Sequence, residues 1–202
     1  MDLKKVEEEV IGELVEGVSE LAVPEPMITD HDVEIIKALL MPGDLIFCRR
    51  NYELSNVGEK ILTNSYWGHV GIYIGWNDEA LPVYESVTKE GFRKVSVERI
   101  CLTKDAIAIG RKAGNLWMPA QIEDMEDLAM SWIGKKPYNF EMDWNNESKL
   151  YCSQAAVKLW LHGDKSMRLD QFKQTNILQM EISPQNVFDS VNIIGRFGDK
   201  GN

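Results

Sequence analysis

This sequence of 202 residues has few histidines, few cysteines and no long apolar run. No stretch approaches the ~18 consecutive apolar residues that a membrane-spanning helix needs, so we expect no stable membrane insertion. The opening segment MDLKKVEEEVIGELVEG carries acidic residues throughout. It lacks the apolar run and the small-residue cleavage site of a secretory signal, and we therefore expect no export signal.

Positive charge is also in short supply. Lysine and arginine total 22 against 32 aspartates and glutamates, which gives a formal net charge of -10. Phosphate backbones repel such a chain at long range, so nucleic acid is not an expected partner. Apolar residues make up 44% and charged residues 27% of the chain, a composition typical of one soluble globular domain. The oligomeric state is left open.

The cysteines are Cys48, Cys101 and Cys152, an odd number with irregular spacing. The sequence has no CxxC pair and no Cys/His cluster at zinc spacing, so it predicts neither a disulfide framework nor a metal site. We expect no cofactor. A chain of this kind suits the reducing cytoplasm, where each thiol is available as a nucleophile.

Hydrophobic periodicity divides the chain into a helical extension, residues 1–40, and a main domain, residues 41–202. The extension predicts one helix up to about residue 20 and a second, shorter helix capped by Thr29 or Asp30. The second helix has a predicted apolar side made of Ile35, Ile36, Leu39 and Leu40.

The main domain begins with short apolar segments separated by turn residues, which predict a mainly antiparallel sheet or small barrel. Helices follow at about 119–133 and 152–161, and another begins at Ser183–Pro184. The fold class predicted is therefore α+β. The predicted strands are Leu45–Cys48, Val70–Ile74, Pro82–Val87, Gly91–Val97 and Ala106–Ile109.

Three residues stand out as candidates for chemistry. Cys152 opens a predicted helix, where backbone N–H groups and the helix dipole favour a thiolate. His69 enters an apolar strand, whereas the other two histidines lie at helix ends and are ordinary there. Glu85 lies within the next strand, where a carboxylate needs either a partner or a solvent-facing side. A Cys–His pair with a third, orienting group is the pattern of a thiol hydrolase.

Four short motifs occur in a fixed order along the chain. They are Gly43–Phe47 (GDLIF), Trp67–Gly75 (WGHVGIYIG), Val83–Ser86 (VYES) and Tyr151–Gln154 (YCSQ). In this order, with histidine before cysteine, they resemble the circularly permuted NlpC-type papain-like amidohydrolases, and more narrowly the YiiX/YaeF-like group. The lecithin–retinol acyltransferase-like enzymes share that order. The resemblance covers roughly residues 40 to 190.

This resemblance implies a papain-like fold and a thiol hydrolase that cleaves an amide bond of a peptide-like or amino-acid-containing substrate through a cysteine thioester. Cys152 is then the nucleophile, His69 the general base and acid, and Glu85 the residue that orients His69. Three further residues are assigned to substrate binding: Tyr138, Trp67 and Ser153. Asp44 is given a structural role.

Two other functions stay open at this point. The first is a thiol esterase or acyltransferase acting on lipids, with an apolar pocket built from Trp67, Phe140, Trp144 and Trp160. The second is a ligand-binding module that has lost its chemistry.

Two local features near the predicted nucleophile are also unresolved by sequence. The lysines around the loop before Cys152 either offset the overall acidity or are simply solvated. Many members of the family read Tyr-Cys-Ser-Glu-Leu at the predicted nucleophile, whereas this chain has Gln154 and Ala155 after Ser153. We therefore expect a pocket of different charge and width.

Overall fold

The structure, a computed structural model, describes residues 27–49, 66–75, 81–114, 116–172 and 182–198. At its centre is a six-stranded sheet with the strand order β4-β3-β2-β1-β5-β6, and every neighbouring pair of strands is antiparallel. The strands are β1 (Leu45–Arg49), β2 (His69–Tyr73), β3 (Pro82–Val87), β4 (Gly91–Ser96), β5 (Ala106–Arg111) and β6 (Asn192–Gly198). The antiparallel sheet predicted from the short apolar segments is confirmed.

Helices cover both faces of this sheet. They are α1 (Asp30–Leu39), α2 (Val97–Cys101), α3 (Pro119–Trp132), α4 (Cys152–Gly163) and α5 (Pro184–Phe188), with a 3-10 turn at Leu169–Gln171. Alternate side chains of each central strand therefore enter two separate cores. One core includes Phe47 and Ile72 together with residues of α3 and α4, and the other includes Ile46 and Val83 together with residues of α1 and α2.

Helix α1 begins as predicted, but its fully buried side agrees with the predicted one only at Ile36. The Thr29 hydroxyl accepts from the Asp32 backbone N–H at 3.2 Å, and the Asp32 carboxylate accepts from the Thr29 backbone N–H at 2.9 Å, which completes a capping box. The buried residues are Val33 and Ile36, whereas the predicted core residues Ile35 and Leu39 are 37% and 36% exposed. The helix predicted before residue 20 lies outside the described residues.

Two elements of the structure have no counterpart in the pattern. Helix α2 is only five residues long and begins directly after β4. Its first residue, Val97, continues the alternation of the preceding strand and was therefore predicted as part of that strand. Strand β6 lies at the edge of the sheet, and none of its residues is fully buried. An edge strand with two glycines offers little apolar periodicity, and only its pairing with β5 reveals it.

The order of the strands positions the candidate site. Strand β2 pairs with β3, and β3 continues into β4 through a tight hairpin in which Val87 pairs with Gly91. Helix α4 packs against both β2 and β3. The predicted nucleophile therefore begins a helix that lies on the two strands carrying His69 and Glu85.

Candidate active site

His69 and Glu85 are in direct contact. Nε2 of the His69 ring lies 2.7 Å from Oε2 of Glu85. Because an ionised carboxylate can only accept hydrogen bonds, Nε2 is the donor. The other ring nitrogen, Nδ1, is then the one that can accept a proton. The His69 side chain is 14% exposed and that of Glu85 only 3%, so the pair is largely shielded from water.

Arg93 is a second partner of Glu85 and was not among the residues selected from the sequence. Its Nε and Nη2 atoms both donate to Oε1 of Glu85, at 2.9 and 2.6 Å. Its remaining nitrogen, Nη1, donates to Glu90 in the β3–β4 turn. The two oxygens of Glu85 are thus divided between histidine and arginine, and the buried carboxylate has donors on both sides.

These donors decide the ionisation of Glu85. Burial by itself would raise the pKa of this carboxyl group, but the hydrogen bonds and positive charges of His69 and Arg93 outweigh it and lower the pKa to about 2. Glu85 therefore stays ionised at neutral pH. An ionised carboxylate next to the ring fixes the orientation of the imidazole.

Cys152 is the first residue of α4, as predicted. The residue is 2% exposed. The first N–H groups of a helix have no hydrogen-bond partner inside the helix, so those at the start of α4 can donate to a group near Cys152. Thiolate and oxyanion are both stabilised at such a position.

Gln154 holds the loop in front of Cys152. Its Oε1 accepts from the Tyr151 backbone N–H at 3.2 Å, which caps the helix. Its Nε2 lies within hydrogen-bond distance of three backbone carbonyls, those of Asp143, Trp144 and Asn146, at 3.3, 2.9 and 3.1 Å. Gln154 is fully buried. It therefore shapes the loop from inside. The comparison with Tyr-Cys-Ser-Glu-Leu led us to expect that Gln154 changes the charge and width of the pocket, but its side chain does not form a pocket wall.

Two of the residues assigned to substrate binding lie in the core. The Ser153 hydroxyl donates to the Ile182 carbonyl at 2.6 Å, and the residue is fully buried. Trp67 is 2% exposed and packs on Phe188 with ring centroids 5.2 Å apart. Both positions fit a structural role beside the site and not direct contact with substrate.

Tyr138, by contrast, lies on an open groove. The groove has a volume of about 270 Å³ and combines the β3–β4 turn with the segment after α3. Tyr138 is half-buried, and its ring centroid lies 5.0 Å from that of Phe140. The groove is lined by Thr88, Lys89, Glu90, Gly91, Gly134, Lys135, Lys136, Pro137, Tyr138 and Phe140.

The loop that forms the groove is also tied to the start of α4. Tyr138 forms a backbone bridge with Leu150, and the Leu150 N–H donates to the Pro137 carbonyl at 3.0 Å. The Ser86 hydroxyl, next to Glu85, donates to the Leu150 carbonyl at 2.5 Å. Groove, strand β3 and the residues before Cys152 therefore form one connected structure.

The other two cysteines are buried in the second core, and no disulfide joins any of the three thiols. Burial raises the pKa of the Cys101 thiol to about 12, which makes it a poor nucleophile. Among the described residues, no group of three or more His, Cys, Asp or Glu side chains could hold a metal ion. No helix in the same part of the chain is long and apolar enough to cross a bilayer.

Asp44 has the structural role predicted for it. The residue is 1% exposed. Its carboxylate accepts from the Met41 N–H at 2.8 Å and from Nε and Nη2 of Arg111 at 2.8 and 2.7 Å. It therefore joins the segment before β1 to the end of β5.

The antiparallel sheet, the helix that begins with cysteine and the His–Glu pair together define a papain-like fold in permuted order. A family model confirms this class: it describes a permuted papain-like amidase enzyme, YaeF/YiiX, of the C92 family, and it matches residues 39–192. The chain belongs to that family, and the resemblance seen in the sequence motifs is confirmed. A cysteine hydrolase type of activity follows from membership.

A solved structure supports the same fold. The crystal structure titled metalloprotein yiiX from Escherichia coli O157:H7 is similar to this chain with a TM-score of 0.63 and 20% sequence identity. The similarity covers 79% of this chain and 99% of that one. No curated protein sequence matches the chain.

Proposed function

We propose that this protein is a cysteine amidase that hydrolyses an amide bond of a small peptide-like or amino-acid-containing substrate through a thioester on Cys152. The observation that carries the proposal is the buried contact between His69 and Glu85. This contact fixes Nε2 of His69 as a hydrogen-bond donor and leaves Nδ1 as the base. The two residues lie on β2 and β3, and the helix that begins with Cys152 packs against both strands.

In the first half of the reaction, Nδ1 of His69 takes the thiol proton and the Cys152 thiolate attacks the amide carbonyl. The backbone N–H of Cys152 donates to the resulting oxyanion. The imidazolium then protonates the leaving amine, the C–N bond breaks and a thioester remains on Cys152.

In the second half, His69 accepts a proton from water, which attacks the thioester carbonyl. Collapse of that tetrahedral intermediate releases the carboxylic acid and returns the proton to the cysteine–histidine pair. Glu85 stays ionised throughout and holds the imidazolium in place. Neither half needs a metal or a cofactor.

The test is alkylation with iodoacetamide between pH 5 and pH 9, with the labelled sites mapped by mass spectrometry. We expect Cys152 to react well below pH 8 and much faster than Cys101. In a His69→Ala variant the reaction below pH 7 should fall about tenfold or more, because the thiolate loses its imidazolium partner. His162→Ala, a change in a histidine at the other end of α4, is the matched control and should leave the rate unchanged.

Equal labelling of Cys152 and Cys101 in the native protein would contradict the proposal and favour the binding module. Once an amide substrate is found, Cys152→Ala should abolish turnover. His69→Ala should lower kcat by about 10²- to 10⁴-fold, the usual contribution of a general acid–base residue.

The lipid-acyl alternative gains no support from the aromatic residues. Trp67 packs on Phe188, while Trp160 lies in the core between Trp117 and Phe172. Phe140 is 59% exposed on the groove. Trp67, Trp160 and Phe140 therefore do not line one apolar pocket. We keep a cytoplasmic location and a small-molecule or peptide-like partner as part of the proposal.

A further inference from the structure

The groove beside the site concentrates positive charge in a strongly acidic protein. Three lysines line it, Lys89, Lys135 and Lys136, although the chain as a whole carries a formal charge of -10. Lys89 and Lys135 are exposed. The ammonium group of Lys136 donates to the Glu147 carbonyl, an uncharged partner.

The one acidic residue of the groove is already engaged. The Glu90 carboxylate receives Nη1 of Arg93 and lies 3.8 Å from Nη2 of Arg99. It is thereby turned toward arginines on β4 and α2. Three lysines and a single carboxylate therefore line the groove, which leaves an excess of positive charge there.

The groove also offers an apolar surface, and its loop lies close to the backbone of the nucleophile. Tyr138 and Phe140 form its aromatic side. Tyr138 is bridged to Leu150, and two residues of extended chain span at most about 7 Å, so the backbone of Cys152 lies close to the loop that forms the groove.

We infer that the groove is a subsite for a carboxylate, and that the substrate of the proposed amidase is an amide bearing a free carboxylate and an apolar or aromatic side chain, such as an N-acylated amino acid. This inference rests on the proposed function of Cys152. The acidic surface would favour cationic or neutral ligands, but a local pocket sets its own potential. Lys135 and Lys136, two of the lysines whose role the sequence leaves open, therefore gain a role in substrate choice.

The test compares two electrophiles that differ only in charge. N-chloroacetyl-phenylalanine and N-chloroacetyl-phenylalaninamide both alkylate a thiol, and only the first carries a carboxylate. We expect the carboxylate to label Cys152 about three- to tenfold faster than the amide at low salt, a modest preference typical of partly exposed charges. The preference should shrink in 0.5 M NaCl, where charges are screened beyond a few ångströms.

Replacing the exposed lysines provides the decisive comparison. A Lys89→Gln, Lys135→Gln double variant should bring the ratio of the two rates close to one. Lys165→Gln, near the opposite end of α4, makes the same kind of charge change away from the groove and should keep the preference. A ratio near one in the native protein, or an unchanged ratio in the double variant, would overturn the inference.

Failure of the subsite and failure of the proposed amidase give different results. If Cys152 does not react with iodoacetamide faster than Cys101, the amidase proposal fails. The groove is then tested on its own with the unreactive N-acetyl-phenylalanine and a Cys152→Ala variant. Chemical-shift changes at Tyr138 and Phe140 that vanish in the double lysine variant would support the subsite, and an absence of changes would refute it.

Discussion

Glu85 and Arg93 face each other across the β3–β4 hairpin as a directly paired couple, and the arginine donates twice to one carboxylate oxygen while His69 holds the other. The orienting acid of the site is therefore itself held in place. A carboxylate with a single partner could rotate, whereas one with donors on both oxygens presents a fixed acceptor to the imidazole.

We expect Arg93→Gln to be among the more harmful changes outside the Cys–His pair. Removing the guanidinium leaves a buried carboxylate with one donor, which costs on the order of 2–4 kcal/mol of unfolding free energy. Cys152 alkylation near pH 6 should also slow about threefold or more, because His69 loses its fixed orientation. Urea unfolding and labelling rates measure the two effects.

Arg99→Gln is the matched control for that variant. Arg99 is 62% exposed and contacts Glu90 only at 3.8 Å, so the same substitution should change stability by less than about 0.5 kcal/mol. If Arg93→Gln behaved like Arg99→Gln in both measurements, Arg93 would have no positioning role.

Glu85→Gln should change how stability depends on pH. The pKa of Glu85 is lowered from 4.5 to about 2 in the folded protein, so its contribution is fully present above pH 4.5 and is lost as the pH falls toward 2. The native protein should therefore exceed Glu85→Gln in stability at pH 6, and the difference should narrow at pH 3. Urea unfolding of both proteins at the two pH values measures it. If the difference in unfolding free energy stayed constant between pH 6 and pH 3, the partners of Glu85 would not be lowering its pKa.

Much of the framework could be predicted because it depends on local pattern. Pro82–Val87 reproduces the predicted strand without change, since a proline begins it and a turn at residues 88–90 ends it. The same holds for the start of α4 at Cys152. Helix α1 was harder: its periodicity does not show which side meets the sheet, and Val33 took the place expected for Ile35 and Leu39.

Arg93 escaped notice because its importance depends on register and not on composition. Both strands were predicted, and joining them as a hairpin in which Val87 pairs with Gly91 places Glu85 opposite Arg93, so counting along the two strands could have found it. The lysine groove had no such signal. Lys89 and Lys135 come from separate elements that only the tertiary structure brings together.

Gln154→Glu should destabilise the protein. The Gln154 amide nitrogen faces three backbone carbonyls, and a buried glutamate would offer them no donor. We expect the free energy of unfolding to fall by about 2–4 kcal/mol, measured by urea unfolding at pH 7.

Gln121→Glu is a control with the same change in the same helical position. Gln121 also caps its helix, with Oε1 accepting from the Met118 N–H at 2.9 Å, but it is only partly buried. A glutamate keeps the acceptor and adds a charge that the helix N-terminus favours, so stability should stay equal or rise slightly. Equal losses in both variants would show that the carbonyls do not need the Gln154 amide.

Gly91→Ala should disturb the groove at its junction with the sheet. Gly91 has a φ of +69°, and a Cβ atom there would lie 2.4 Å from the Lys136 carbonyl oxygen. That oxygen accepts from the Phe92 N–H at 2.8 Å and holds the groove loop on the edge strand. The loop must move away. We therefore expect the free energy of unfolding to fall by about 2–4 kcal/mol, because of the steric clash and the weakened hydrogen bond together. The preference for the carboxylate probe should weaken as well.

Gly134→Ala separates backbone strain from the clash. Gly134 has the same φ of +69°, yet a Cβ atom there would meet nothing within 4 Å. This variant should therefore lose only the ~1–2 kcal/mol that a left-handed backbone costs an alanine, and it should keep the probe preference. Thermal unfolding and the two-probe labelling ratio measure both variants side by side. If Gly91→Ala and Gly134→Ala gave the same loss of stability and the same labelling ratio, the groove loop would not depend on its contact with β4.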